Sequence, residues 1–324
     1  MAMRIRRNSA IFCALIAGSQ PGCTIENWFD DPDEEIVPAN WITETEFQAP
    51  FPQVDVLWVV DNTQSMTLEH SALKNAFSGF VQALDTAELG YQIGVVTTDM
   101  VNDGGVLRGN PWIITPSLED GADAFANAIN VGLESTAKEA GLAAMVAALS
   151  EPLRSGYNRG FRRESAALHV IVVSDSNDHS EDWLGEFPLA VAREFLKDEE
   201  TLTLLPAVFS AVVGNSPNGC SGASGTATPG ARYVDLANQS GGGFASICES
   251  NLQGVLSSFG DLSVVYPRRF LLENAAKEDT LRVSVDGAIR FDWIYSDSPP
   301  SVLFDEAPEA DARVQIRYQL VESP

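Results

Sequence analysis

A carboxylate and two hydroxyl side chains stand at alternate positions directly after an apolar run. The run is Val54–Val60, and Asp61, Thr63 and Ser65 follow it in the sequence VDVLWVVDNTQS. Such a run is typical of a strand that a parallel sheet buries on both faces, and open α/β sheets bind ligands at the carboxyl ends of their strands. Hard divalent cations prefer carboxylate and hydroxyl oxygens as ligands. The segment therefore predicts a site for Mg²⁺, or alternatively for Ca²⁺ or Mn²⁺.

Two further segments can supply oxygen ligands to the same ion. Asp175 directly follows a second apolar run, Ala167–Ser174, and a predicted helix that begins near Ser135 and Thr136 offers a hydroxyl. Because parallel strands bring their carboxyl ends to one edge of a sheet, we expect Asp175 to lie beside Asp61. A hydroxyl of Ser135 or Thr136 could therefore join the same set of ligands.

The elements that must position these residues alternate between strand and helix. Apolar residues at helical spacing predict helices around Leu73–Leu84, Pro188–Lys197 and Asn251–Leu262, and buried runs predict further strands at Tyr91–Thr98 and Leu204–Gly214, with a short paired strand at Val106–Thr115. This alternation predicts an α/β domain with a doubly wound, mostly parallel sheet over residues 53–263. From residue 264 to residue 324 apolar and polar residues alternate without a helical period, which predicts a small all-β C-terminal module.

The N-terminus resembles an export signal followed by a tether. Within residues 1–22, arginines precede a short apolar stretch and small residues lead up to Cys23. Cys23 resembles the lipid-modified cysteine of bacterial lipoproteins. Residues 23–52 combine clustered acidic residues with several prolines, which predicts an acidic tether. We therefore expect an exported protein of the cell envelope that a lipid on Cys23 attaches to the membrane.

The four cysteines fit an exported protein. Cys13 would be removed with the signal and Cys23 would carry lipid, so that Cys220 and Cys248 remain as a pair. Exported proteins are permitted disulfides, and these two cysteines flank a loop rich in Gly, Ser and Thr. We expect a disulfide between Cys220 and Cys248 rather than a metal site, because no further soft ligand stands nearby.

Over about Val54 to Leu262 the chain resembles a von Willebrand factor type A (vWA) domain. The metal-ion-dependent adhesion site (MIDAS) of that family uses an Asp-x-Ser/Thr-x-Ser loop, a Thr from a second loop and an Asp from a third, which correspond here to Asp61, Thr63, Ser65, Thr136 and Asp175. The second loop departs from the family pattern, because it lacks the usual Gly-Thr pair. The resemblance implies that a Glu or Asp of a protein partner fills a vacant position on the metal.

Charge and spacing argue against other classes of function. A formal net charge of -25 opposes binding to nucleic acid or to anionic lipid. Haloacid-dehalogenase-like phosphatases would use Asp61 as nucleophile, but they require a second Asp where Thr63 stands. We therefore predict no catalytic residue and no enzyme activity. A structural envelope protein, in which the metal only orders loops, stays open as an alternative.

Two other groups of polar residues are expected to have structural roles. His169 lies within an apolar strand, where a buried histidine with hydrogen-bond partners is the ordinary case. The acidic residues Asp178, Glu181 and Asp182 are expected to form a solvated edge rather than a second metal site.

Overall fold

The computed structural model describes residues 41–130, 138–222 and 225–321. In chain order its strands and α-helices are β1 (Trp41–Phe47), β2 (Gln53–Val60), α1 (Thr67–Thr86), β3 (Gly90–Thr97), α2 (Gly121–Ile129), α3 (Gly141–Leu149), β4 (Ala167–Ser174), α4 (Glu181–Leu184), α5 (Pro188–Thr203), β5 (Ala207–Val213), β6 (Cys220–Gly222), β7 (Gly225–Ala227), α6 (Ala231–Ser240), β8 (Phe244–Ser246), α7 (Leu252–Ser263), β9 (Arg269–Leu271), β10 (Arg282–Val285), β11 (Ala288–Arg290), β12 (Trp293–Asp297), β13 (Pro300–Phe304) and β14 (Arg313–Gln319). The described residues divide into two compact units. The α/β unit comprises residues 48–268 with 307–311, and the β unit comprises residues 41–47, 269–306 and 312–321.

The α/β unit contains a sheet of five strands in the order β3-β2-β4-β5-β8. All four strand pairs are parallel, which confirms the predicted α/β class. From β2 the chain passes through α1 to β3 on one side, and it then returns to β4 on the other side of β2. The winding therefore reverses between β2 and β4. Ligands of open α/β sheets bind in the crevice outside the carboxyl ends of the strands at such a reversal.

The two faces of this sheet carry separate hydrophobic cores, because successive side chains of a strand point to opposite faces. Val56, Trp58 and Val60 of β2 pack in the core that contains residues of α1, α2 and α7. Leu57 and Val59 pack in the core that contains residues of α3, α5 and α6. Helices cover both faces of β2, which explains why its sequence is apolar without alternation.

His169 of β4 is a buried core residue with two hydrogen-bond partners, as predicted. It is fully buried, its Nδ1 lies 2.7 Å from the Ser263 hydroxyl, and its Nε2 lies 2.7 Å from the Ser210 hydroxyl. Burial lowers the pKa of His169 to about 3. From the central strand β4, the neutral imidazole therefore connects α7 to β5.

The β unit contains two small antiparallel sheets, with strand orders β1-β14-β10-β11 and β12-β13-β9. Their buried side chains share one hydrophobic core, to which Val314 and Tyr318 contribute from the first sheet and Val302 and Phe304 from the second. This arrangement confirms the predicted all-β region after the α/β domain. Only two residues separate strands β11 and β12, yet the two strands belong to different sheets.

Part of the predicted acidic tether belongs to this β unit. Residues 23–52 were expected to form the tether, but Trp41–Phe47 form strand β1, which pairs with β14 along its whole length from Trp41 opposite Gln319 to Phe47 opposite Arg313. Arg317 also lies over the Trp41 ring, at 4.8 Å from its centroid. Cross-strand pairing of this kind stabilises a strand that is too polar to be predicted from apolar periodicity.

Several predictions concern residues outside the described ranges. The signal segment 1–22, Cys23 and the tether up to residue 40 are among them. No helix in the described part of the chain is both long and apolar enough to cross a membrane.

The prediction of a short strand at Val106–Thr115 is wrong. Within this segment only Ile114 forms a β-bridge, which pairs it with Ile93 of β3.

Candidate metal site

Asp61 begins the loop after β2 and is fixed by both its backbone and its side chain. Its N–H donates to the Val173 carbonyl of the neighbouring strand β4 at 2.9 Å. Its carboxylate is fully buried, and Oδ1 accepts hydrogen bonds from the Thr63 N–H at 2.9 Å and from the Thr63 hydroxyl at 2.7 Å. An Asp that accepts from the backbone two residues later closes a tight turn. The turn aims the Thr63 hydroxyl back toward Asp61.

The hydroxyl of Ser65 continues the same row of oxygen atoms. Ser65 lies in a 3-10 turn at Gln64–Met66 that leads directly into α1, and Met66 anchors the turn in the core. The oxygen atoms of Thr63 and Ser65 are 3.0 Å apart. In an octahedral Mg²⁺ site with metal–oxygen distances of about 2.1 Å, neighbouring ligand oxygens are about 3 Å apart. The spacing of these side-chain oxygens therefore fits the donor set of a hard cation.

The carboxyl end of β4 brings the second acidic residue to this loop. Ser174, the last residue of β4, donates from its hydroxyl to Oδ2 of Asp61 at 2.6 Å, and it accepts from the Ser176 N–H at 3.0 Å. Asp175 lies between these two serines and is 7% exposed. The structure thus brings Asp61, Thr63 and Ser65 together with the loop that carries Asp175.

Burial dominates the electrostatics of Asp61. Its pKa is raised to about 6, chiefly by burial, and the negative charge of Asp175 adds to the effect. The hydrogen bonds from Ser174 and Thr63 act in the opposite direction and favour the ionised carboxylate. In the described residues no lysine or arginine forms an ion pair with Asp61 or Asp175. A divalent cation would supply the missing positive charge.

The second-loop ligand, Thr136 or Ser135, lies outside the described residues, and its role stays a prediction. The chain is described again from residue 138. There the Glu139 carbonyl accepts from the His179 N–H at 2.7 Å, and the Ala140 N–H donates to the Thr98 carbonyl at 3.0 Å. Residues 139 and 140 therefore lie between the segments that follow β4 and β3.

Three residues near the site were not recognised from the sequence. Ser174 looked like the end of an apolar strand, and its polar side chain was the available signal. His70 of α1 lies with Nε2 at 2.6 Å from the Asp61 carbonyl oxygen, so this nitrogen carries the proton. Glu69 is 4% exposed, its Oε2 has no hydrogen-bond partner among the described residues, and burial, together with the charge of Asp175, raises its pKa. The loop is therefore supported by His70 of α1 as well as by Ser174 of β4.

The sequence led us to expect Asp178 in a solvated edge, but the structure shows that Asp178 is buried. It is 1% exposed, and its Oδ1 accepts from the Leu142 N–H at 3.0 Å and from the Ser180 hydroxyl at 2.6 Å. The Ser180 hydroxyl in turn accepts from the Ala143 N–H at 2.9 Å. Both side chains satisfy N–H groups of the first turn of α3, which intrahelical bonds leave free. Asp178 is therefore a helix cap that holds the loop after Asp175 in place.

The predicted disulfide between Cys220 and Cys248 is confirmed. It joins the start of β6 to the residues after β8, and β6 pairs with β7 in a small hairpin. Thr228, directly after this hairpin, donates from its N–H to the Asp175 carbonyl at 2.8 Å. The disulfide thus restrains a segment that supports the backbone of a predicted metal ligand.

The donor set at this edge is oxygen only. Among the described residues, no group of three or more His, Cys, Asp and Glu side chains is placed to hold a metal ion. The candidate site differs from such groups because two of its four described donors are hydroxyls, with Asp61 and Asp175 as the only carboxylates. Carboxylate and hydroxyl oxygens suit hard cations such as Mg²⁺, Ca²⁺ or Mn²⁺, and soft metals prefer other ligands.

Comparison with known proteins shows only weak likenesses. No family model matches the chain, and no curated protein matches it. Solved structures include the conserved hypothetical protein BatB from Bacteroides thetaiotaomicron (14% identity, TM-score 0.40), where the match covers 65% of this chain and 98% of BatB. Proximal thread matrix protein 1 from the mussel byssus is 14% identical with a TM-score of 0.41, and the match covers 71% of this chain and 51% of that protein. The pilus adhesin SpaC from Lactobacillus rhamnosus GG is 12% identical with a TM-score of 0.37, and the match covers 86% of this chain and 41% of that one.

Proposed function

We propose that the α/β unit is a vWA-type domain and that its Asp61 loop binds a divalent cation, Mg²⁺ in the first place, through which the chain binds a carboxylate of a protein partner. Asp61, Thr63, Ser65 and Asp175 would hold the ion, and Thr136 or Ser135 would complete the set. The cation would supply a Lewis-acidic position for an anionic ligand.

One observation carries this proposal. The hydroxyl of Ser174 bonds Oδ2 of Asp61 at 2.6 Å and thereby joins the two acidic loops at the point where the winding of the sheet reverses. Oδ1 of the same carboxylate begins the row of oxygens that continues through Thr63 and Ser65. Ligands bind α/β sheets at this position for topological reasons, and the donors there are of the type that hard cations require.

The exposure of the site favours binding over a purely structural metal. Asp61 is fully buried, whereas Ser65 is exposed and Thr63 is half-buried. An ion in this loop would therefore have protein on one side and solvent on the other. Two carboxylates do not saturate a divalent cation that has otherwise neutral ligands, so the solvent side attracts a further anion. These features favour a metal ion that binds a partner's carboxylate over a metal ion that only orders the loops.

The residue types of the loop argue against the phosphatase alternative. Thr63 stands two residues after Asp61, where that mechanism requires a second carboxylic acid. This difference supports a binding protein rather than an enzyme.

We further propose that the chain is exported and attached to the membrane by a lipid on Cys23. The support comes from the signal-like residues 1–22 and from the disulfide between Cys220 and Cys248, which belongs in an oxidising compartment. The tether would then be shorter than the sequence suggested, because β1 begins at Trp41. Mass spectrometry of the protein from membrane fractions tests this point: an acylated N-terminal Cys23 supports it, and an unprocessed Met1 or a free thiol at Cys23 contradicts it.

Capture of partners from cell-envelope extracts tests the binding function. The immobilised protein is incubated in parallel with Mg²⁺ and with EDTA, and Asp61→Ala is compared with Asp123→Ala, which removes an exposed carboxylate from α2 and so matches the change in charge. We expect captured proteins that require Mg²⁺, are absent with Asp61→Ala and are retained by Asp123→Ala. Capture that is unchanged by EDTA and by Asp61→Ala would contradict the proposal.

A further inference from the structure

An open cavity lies beside strand β3, at the edge of the parallel sheet of the α/β unit. Its volume is about 270 Å³, and it is lined by Val106, Leu107, Trp112, Gly156, Tyr157 and Arg159. The first three of these residues follow β3, and the other three follow α3. Ligand pockets of proteins usually have volumes of about 300–1,000 Å³. A cavity near the lower end of this range suits a ligand of one small ring.

A buried side chain joins the two walls of this cavity. Asn158 is 1% exposed, its Oδ1 accepts from the Leu107 N–H at 2.9 Å, and its Nδ2 donates to the Gly105 carbonyl at 2.9 Å. The wall that follows β3 is also bonded to that strand, because the Arg108 N–H donates to the Val95 carbonyl at 2.8 Å. The cavity is therefore formed before a ligand enters, and less ordering entropy opposes binding.

Two aromatic side chains are exposed in this cavity. Trp112 is 52% exposed and Tyr157 is 77% exposed. Within the described part of the chain, neither the indole N–H of Trp112 nor the hydroxyl of Tyr157 has a hydrogen-bond partner. Each ring combines an apolar face of negative potential with a polar group at its tip. Such rings suit a ligand that has C–H bonds on one face and hydroxyl groups around its edge.

The cavity carries a positive charge, although the chain as a whole is acidic with a formal net charge of -25. Arg159 is exposed, and in the described residues its guanidinium forms no ion pair. Among the described residues that line the cavity there is no Asp or Glu, and Asp103, which precedes this wall, is paired with Arg108 at 3.1 Å. A guanidinium presents its N–H donors in a planar fork that fits a carboxylate. The cavity therefore favours an anionic ligand.

Two other classes of ligand fit this cavity less well. The net charge of the chain repels a nucleic acid or another polyanion, whereas a single carboxylate beside Arg159 is attracted locally, because salt screens charges that are more than about 8 Å apart. Peptides that pair with a protein's backbone need free backbone groups. Most of the lining residues donate their N–H groups within the protein, namely Val106, Leu107, Gly156 and Arg159.

We propose that this cavity binds a single sugar ring that carries a carboxylate, such as a uronic acid at the end of a glycan. Trp112 and Tyr157 pack against the C–H face of the ring, and their N–H and hydroxyl groups bond to its hydroxyls. Arg159 binds the carboxylate through two parallel hydrogen bonds. The inference goes beyond the proposed function and does not depend on it, because the cavity is lined by none of the described candidate ligands, Asp61, Thr63, Ser65 and Asp175.

NMR titration of the full chain with small sugars tests the inference. The buffer contains EDTA, so that no carboxylate binds through a metal ion. The ligands are methyl glucuronide, its methyl ester and methyl glucoside, which share one ring and differ at the carboxylate. We expect methyl glucuronide to shift the indole N–H signal of Trp112, which its loss in Trp112→Ala identifies. From the sugar signals, methyl glucuronide should bind at least about tenfold more tightly than the two neutral sugars.

Two variants separate the charge from the aromatic contact. Arg159→Gln should lower the affinity for methyl glucuronide to that for the neutral sugars and leave the affinity for the neutral sugars unchanged. Trp112→Ala should weaken the binding of all three sugars about tenfold. The matched controls are Arg313→Gln and Trp183→Ala, which remove an exposed arginine and an exposed tryptophan that do not line the cavity. Both controls should bind the sugars as the wild type does.

Three kinds of result would overturn the inference. If the wild type binds the charged and the neutral sugars equally, or if Arg159→Gln weakens all three equally, Arg159 does not recognise a carboxylate. If no sugar binds, or if Trp112→Ala leaves binding unchanged, the cavity is not a sugar site. If phenylacetate or a short acidic peptide binds more tightly than methyl glucuronide, the cavity belongs to a different class of ligand.

Discussion

The hydroxyl of Ser174 donates a 2.6 Å hydrogen bond to Oδ2 of Asp61 and so connects the carboxyl ends of β4 and β2. Both residues are fully buried. The bond leaves Oδ1 of Asp61 to the row of oxygens that includes Thr63, and it favours the ionised form of a carboxylate that burial would otherwise protonate. Ser174 is therefore a positioning residue for the candidate metal site.

Replacing Ser174 by alanine should weaken the binding of Mg²⁺ without removing any of the proposed ligands. Loss of the hydrogen bond frees Oδ2 to rotate and raises the pKa of Asp61 further, and loss of an outer-shell partner typically costs about 10–100-fold in metal affinity. Calorimetric titration measures the effect. Ser258→Ala, which removes an exposed hydroxyl on α7, is the control and should leave the affinity unchanged.

The raised pKa of Asp61 makes the stability of the metal-free chain depend on pH. Because the pKa is about 6 in the folded chain and 3.8 as its ordinary value, the folded chain keeps a proton that the unfolded chain has released. Stability in EDTA should therefore fall as the pH rises from about 4 to about 6, by up to about 3 kcal/mol from this group. Mg²⁺ should restore the stability above that range.

Asp61→Asn isolates this contribution. The amide resembles the protonated carboxyl in size and charge, so the variant should be more stable than the wild type in EDTA at pH 7.5 and should not respond to Mg²⁺. Urea denaturation at pH 4.5 and pH 7.5 gives the comparison. If the variant is less stable than the wild type at pH 7.5 in EDTA, the ionised carboxylate of Asp61 does not destabilise the metal-free chain.

His169 should give the opposite dependence on pH. Its pKa falls from 6.5 to about 3 on folding, so the unfolded chain binds a proton that the folded chain excludes. The stability due to the neutral histidine is complete above pH 6.5 and is lost as the pH falls toward 3. The variant His169→Gln can bond the same two serines but does not titrate. Between pH 7.5 and pH 5 the free energy of unfolding of the wild type should therefore fall by about 2 kcal/mol more than that of the variant. If the free energies of unfolding of the two proteins depend on pH in the same way, His169 does not have this lowered pKa.

The disulfide between Cys220 and Cys248 should contribute to stability and, to a smaller degree, to the metal site. Closing a loop with a sequence separation of 28 residues stabilises by about 3–4 kcal/mol in the chain-entropy model. In the double variant Cys220→Ser, Cys248→Ser we expect this loss in urea denaturation and a modest decrease in Mg²⁺ affinity, because Thr228 supports the Asp175 carbonyl. A metal affinity as low as that of Asp61→Ala would mean that the hairpin holds a ligand itself.

The sequence predicted the core of the α/β unit because its strands are apolar on both faces. Asp61 and Asp175 follow two such strands, and topology alone then requires them to meet at one edge. Helix α6 and strand β8 were not predicted. α6 buries only three residues, Tyr233, Leu236 and Ala237, and β8 spans Phe244–Ser246, which is too short to show a period.

The supporting residues of the site depend on tertiary contacts that local patterns do not contain. Asp178 caps a helix 36 residues away, and nothing in its neighbourhood distinguishes it from a solvated acid. Strand β1 was assigned to a tether because residues 23–52 combine clustered acids with several prolines, and only pairing with β14 makes residues 41–47 a strand. Long-range pairing of this kind overrides composition.

Calorimetric titration of the EDTA-stripped chain with Mg²⁺ tests directly whether the Asp61 loop binds a divalent cation. We expect one ion per chain, with binding abolished in Asp61→Ala and retained in Asp123→Ala. Equal binding of Mg²⁺ by the wild type and Asp61→Ala, or no binding by the wild type, would contradict it.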